Sequence, residues 1–215
     1  MGGTGKSSLT VKEFAFVSLF AAIIFLMTFT QLGFIPVGAI NATIVHIPVI
    51  IGSILMGPRV GACLGAMFGL ASMIRNTIIP VPLSFAFSPL IPVPGTDSGS
   101  LIAILICFFP RIMVGIVPYY VRKFLNVVPF VKKSNVARLF FSGVAGSVTN
   151  TILVMHLMFF LLKDAYALAR DIPADAVYGL IVFIIATNGI VEAILAGIFA
   201  STVCKAVETY RDLST

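Results

Sequence analysis

No charged side chain occurs between Glu13 and Arg59, and none between Arg59 and Arg75, Leu139 and Leu162, or Glu192 and Lys205. Runs of this length cannot be covered by a small soluble core. Apolar stretches of about 20 residues are what a bilayer requires of a crossing helix, and backbone polar groups in lipid must be satisfied within the segment itself. The runs are continuous, not alternating residue by residue, which argues against a β-barrel. Composition agrees: 59% of the chain is hydrophobic and 10% charged, against roughly 25% charged for a soluble domain. The fold class expected is all-α integral membrane.

The stretch from Asn41 to Arg75 organises the rest. Its first apolar segment, about Ile44 to Met56, contains His46 and Pro48 and is only ~20 Å long as a helix, short of a ~30 Å hydrocarbon core. Pro48 is expected to cost it the hydrogen bond to the Ile44 carbonyl. A turn at Gly57-Pro58-Arg59 leads to a second segment, about Pro58 to Arg75, carrying a ridge of Gly61, Gly65 and Gly69 suited to close helix packing. Short or interrupted hydrophobic segments often mark a ligand site inside a membrane protein.

The other expected helices run about Val11 to Thr30, Leu101 to Val121, Leu139 to Leu162 and Val177 to Val207. That makes six transmembrane helices in one domain over residues 11–215, after a disordered segment at residues 1–10. Gly5-Lys6-Ser7 imitates the end of a P-loop, but the preceding strand and the first glycine of that motif are missing. Gln31 to Thr43 reads as an uncharged loop. Asn76 to Ser100, with five prolines, reads as a long apolar loop, either a lid or a packed surface loop. Lys163 to Ala176 reads as a polar connection.

Six spans place both termini on one side. One side then holds Lys6, Lys12, Arg59, Arg122, Lys123, Lys132, Lys133, Arg138, Lys205 and Arg211, and the other only Arg75, Lys163 and Arg170. The positive-inside rule makes the first side cytoplasmic. The net charge of +6 therefore reflects membrane orientation and not nucleic-acid binding. Cys63, Cys107 and Cys204 lie in apolar segments without metal-ligand spacing, and read as small apolar filler. No metal or cofactor is expected.

Polar side chains inside apolar spans are costly and are the candidates for function. Arg111 and Glu192 fall at similar depths, either as a structural pair or as ligand-facing groups. Asn150 and Asn188 sit mid-depth, with donors and an acceptor suited to a neutral polar solute or to holding helices together. Arg75 stands at the outer end of its helix, where an incoming anion would meet it, or as an interface anchor. Asn76, which opens the long loop, is grouped with it. His46 is either a packing residue or a ligand contact. No catalytic residues are expected: no HExxH, GxSxG or paired-Asp motif falls in a span, and no complete ATP site is present. Along Val11 to Thr30, Ser18, Ala21 and Ala22 give small-xxx-small spacing for a docking face or for packing within the chain.

Four stretches in this order resemble a known family. They are ATIVHIPVIIGSILMGPRVGACLGAMFGL, FFPRIMVG (Phe108 to Gly115), GSVTNTILV (Gly146 to Val154) and NGIVEAI (Asn188 to Ile194). The chain resembles the substrate-binding S components of energy-coupling factor (ECF) vitamin transporters, and HIPVIIGSILMGP looks most like the pantothenate type. The resemblance implies a six-helix bundle in the bacterial cytoplasmic membrane, binding a vitamin near its outer face. Polar residues of the fifth and sixth helices would contact the ligand, with Asn150 and Asn188 at those positions. It also implies a membrane T component and two ATPase subunits as partners, the coupling subunit docking through Ser18-x-x-x-Ala22. Pyridoxine, hydroxymethylpyrimidine or riboflavin are the alternative ligands within the family, and a stand-alone carrier is the alternative outside it.

Overall fold

In the computed structural model the structure describes residues 11–37 and 40–213; the segment at residues 1–10 expected to be disordered, with its P-loop-like Gly5-Lys6-Ser7, lies outside the described residues. The elements are α1 (Val11–Phe29), β1 (Phe34–Val37), β2 (Ile40–Thr43), α2 (Ile47–Met56), α3 (Pro58–Ile78), α4 (Ile102–Leu125), the single turn α5 (Pro129–Lys132), α6 (Asn135–Arg170), α7 (Val177–Ile184) and α8 (Ile190–Leu213). A π-turn at Ile185–Gly189 joins α7 to α8 as one interrupted helix. Among the described residues, three spans are long and apolar enough to cross a membrane: Ile102–Leu125, Asn135–Arg170 and Val177–Tyr210.

One departure from the expected all-α fold is local. The uncharged loop after α1 is a hairpin, with Phe34 opposite Thr43 and Val37 opposite Ile40. Its last strand runs straight into α2, which begins at Ile47 and not at Ile44. Pro48 therefore stands in the first helical turn, where an N–H would have no intrahelical acceptor and proline costs nothing. The Ile44 carbonyl accepts from the Ile47 amide at 3.0 Å. At ten residues, α2 is about 15 Å long, and the hairpin precedes it.

Gly57 turns the chain from α2 into α3 with φ of 92°, a left-handed conformation that only glycine adopts without strain. Beyond it the glycine ridge of α3 lies on α4, its most extensive neighbour. A Cβ on Gly61 would meet the backbone of Gly115, and one on Gly65 the backbone of Arg111. These two helices therefore approach at backbone-to-backbone distance. The main apolar core gathers Ile24, Val49, Ile50, Leu64, Val114 and Leu139 among others, at the meeting of α1, α2, α3, α4 and α6. A second core, around Phe85, Ile106, Met158, Tyr166 and Ile181, closes the opposite end under the proline-rich loop.

The end of the bundle that carries most of the lysines and arginines is tied by one carboxylate. Glu208 of α8 accepts from Arg122 at 2.5 Å and from Asn135 at 2.9 Å, and Arg122 also donates to the Ile54 carbonyl at 3.3 Å. Arg138 continues the network to Asn126 and Asn135. Four helices, α2, α4, α6 and α8, are thereby pinned together. Glu208→Ala takes the shared carboxylate from a partly buried guanidinium and amide, and is expected to lower the unfolding free energy by about 2 kcal/mol, read as a lower thermal midpoint in detergent.

Candidate functional site

At the other end of the bundle a cavity of about 460 Å³ opens between α3, α4, α6 and the interrupted helix α7–α8, within the range of small-molecule sites. Arg111 and Phe68 come from α4 and α3, Leu83 from the proline-rich loop, and Thr43 from the end of the hairpin. Asn150, Thr151, Val154, Met155, Tyr166 and Arg170 come from α6, and Leu180, Phe183, Ile184, Asn188 and Glu192 from α7, the π-turn and α8.

Local backbone irregularities aim this set. The π-turn widens the helix at Ile185–Gly189, and such turns often occur at functional sites; this one carries Asn188 onto the wall. Non-helical backbone at Leu162 kinks α6 without ending it. The helix continues two further turns, so that Tyr166 and Arg170 stand four residues apart on the same wall, the guanidinium 5.9 Å above the phenol ring. Asp171, left-handed at φ 54°, then stops the helix.

Arg111 is 7% exposed. Its guanidinium lies 4.8 Å from the centre of the Phe87 ring and 5.5 Å from that of Phe68, and Nη1 donates to the Ile106 carbonyl at 2.8 Å. Among the described residues it has no acidic partner. Among the described residues, Arg111 Nε, Asn150 Oδ1 and the Tyr166 hydroxyl are buried without a hydrogen-bond partner, and all three side chains belong to the wall of this cavity. Glu192, 8% exposed, is engaged elsewhere: Oε1 accepts the Thr43 amide at 2.7 Å. The hairpin is thus fastened to the cavity wall. Glu192→Ala removes a charge-assisted bond of roughly 1.5–3 kcal/mol. Faster amide exchange at Thr43 and weaker ligand retention are expected, and unchanged exchange at Thr43 would refute the fastening.

The residues singled out from the sequence divide into two groups. Arg111, Asn150, Asn188 and Glu192 share the cavity wall, and Arg111 and Glu192 do not pair with each other. The other three lie off it. His46 Nε2 meets Ser147 Oγ at 3.1 Å between α2 and α6. Asn76 Oδ1 accepts from Ser84 at 2.7 Å and its Nδ2 donates to the Ser72 carbonyl at 2.8 Å, which ties the long loop to α3. Arg75 is half-buried at the end of α3, away from the wall. Of the small residues on α1, Ser18 and Ala22 are exposed on one side while Ala21 is buried against the chain. The polar wall residues not singled out are Thr43, Thr151, Tyr166 and Arg170. For the last two a signal was present: Tyr166 and Arg170 are four apart in an alanine-rich stretch that favours helix. Among the described residues, no three His, Cys, Asp or Glu side chains gather as a metal set.

A family model described as ECF transporter, substrate-specific component, matches residues 12–204. The chain is also similar to the pantothenic acid transporter PanT of Lactococcus lactis subsp. cremoris (strain MG1363), at 38% identity over 175 residues that cover 81% of this chain and 82% of the relative.

Proposed function

Since the chain belongs to the substrate-specific components of ECF transporters, multi-pass proteins of the cell membrane, we propose that it binds pantothenate from the outer face and delivers it inward together with a T component and two ATPase subunits. The observation that carries this reading is Arg111. A buried cation without a carboxylate partner is costly in a low-dielectric interior, and its guanidinium faces a cavity of ligand size. Pantothenate supplies what the wall lacks: a carboxylate for Arg111, an amide for Asn150 and Asn188, and hydroxyls for the Tyr166 hydroxyl and its neighbours. Arg170, exposed at the mouth, adds a second cation on the approach. The likeness to a pantothenic acid transporter supports the same ligand.

The topology that fits is six spans with both termini inside, the basic end of the bundle facing the cytoplasm and the cavity facing out. Ser18 and Ala22 offer the smooth exposed strip on α1 for the T component. With no nucleotide-binding motif in the chain, the energy comes from the partners. The test is pantothenate binding to the purified full-length chain in detergent, alongside uptake into liposomes that contain this chain alone. Saturable binding without unaided uptake is expected. Absent binding, or transport by the isolated chain, would overturn the reading.

A further inference from the structure

We infer that Pro110 is a positioning residue for the ligand: by withholding its own backbone N–H it leaves the Ile106 carbonyl to Arg111, which locks the guanidinium on the cavity wall. The inference rests on the reading of Arg111 as the carboxylate-binding group.

In a regular helix the Ile106 carbonyl would accept the N–H of residue 110. Proline has none, and its ring crowds that carbonyl. Ile106 is fully buried, where an unpaired carbonyl is strongly disfavoured. The next side chain in sequence supplies the donor. Arg111 Nη1 reaches back along its own helix to the Ile106 oxygen at 2.8 Å, the direction in which helical side chains lean. That bond and the two flanking rings, Phe68 and Phe87, hold the head group, while Nε stays without a partner among the described residues. One side of the guanidinium is spent on orientation and the other is left for the ligand. An alanine at 110 would return an N–H to the Ile106 carbonyl. Arg111 would lose its tether and regain rotamer freedom that binding must then remove.

The experiment compares pantothenate with its uncharged alcohol analogue, pantothenyl alcohol, on the full-length chain. Wild type is expected to prefer the acid. Pro110→Ala should lose roughly tenfold in pantothenate affinity and most of its preference for the acid, with an unfolding midpoint that is unchanged or higher, because alanine favours the helix. Pro118, the other proline inside α4, is the comparison: Pro118→Ala alters the same helix without giving Ile106 a new donor, and should keep the preference. A Pro110→Ala protein that still discriminates overturns the inference. So does a Pro118→Ala protein that loses discrimination equally, since helix shape would then be the cause. A wild type indifferent to the carboxylate overturns the functional reading itself.

Discussion

Arg111→Met is expected to abolish measurable high-affinity pantothenate binding while leaving the ligand-free fold nearly as stable as before. Truncating one partner of a buried, hydrogen-bonded charge pair costs about 2–5 kcal/mol, a loss between about thirtyfold and several thousandfold in affinity. Stability behaves differently because opposing effects cancel. Without ligand the guanidinium is a desolvated cation with no counter-charge among the described residues, and replacing such a group by an apolar one of similar length is often neutral or favourable. Against that stand the Ile106 carbonyl, which loses its partner at about 1–3 kcal/mol, and the ring contacts, worth about 0.5–2 kcal/mol. Calorimetric titration and thermal unfolding on the same preparation separate the two. Arg111→Lys should recover little, since an ammonium neither lies flat between Phe68 and Phe87 nor presents two parallel donors. If Arg75→Ala cost as much as Arg111→Met, the carboxylate would be bound at the end of α3, off this wall, and the proposed orientation would fall.

The placement of these side chains shows which parts of the site could be read from the sequence. Arg111, Asn150, Asn188 and Glu192 stood out because a polar group inside an apolar run needs a reason, and all four stand on the wall of one cavity. His46 and Asn76 stood out by the same logic, yet they hold elements together: His46 through Ser147, and Asn76 through Ser84. Polarity in a membrane segment signals that a partner exists without saying whether it is a ligand or a neighbouring helix. Arg170 and Tyr166 were obscured for a different reason. The charged residues after Lys163 read as a connection, whereas α6 bends at Leu162 and carries on to Arg170. A bend that preserves the helix leaves no glycine or proline to mark it. The hairpin was hidden as well: two four-residue strands, one containing Pro36, are too short for periodicity to register, and the contact that fastens the second strand, to Glu192, lies far along the chain. The long apolar helices were plainer, because continuous apolar runs mark them: Ile102–Leu125, Asn135–Arg170 and Val177–Tyr210 are long and apolar enough to cross a membrane.

Gly65→Leu is expected to break the close approach of α3 and α4 and with it both the fold and the site. A Cβ at position 65 points at the Arg111 carbonyl group and the Ile112 Cα. These are main-chain atoms of a packed helix, so no side chain can swing aside to make room. Overpacking of this kind costs about 1–3 kcal/mol and occasionally more, and Gly65→Ala already incurs it, offset by at most about 1 kcal/mol of helix propensity. Leucine adds bulk that the interface cannot accept. The displaced segment carries Arg111, so pantothenate affinity should fall in step with the unfolding midpoint, unlike Arg111→Met, where affinity falls alone. Gly179 provides the contrast: a Cβ there meets nothing within 4 Å, and Gly179→Ala should be neutral or slightly stabilising with binding intact. Were Gly65→Ala as harmless as Gly179→Ala, the two helices would have room to part, and the tight α3–α4 contact would not be what holds Arg111 in place.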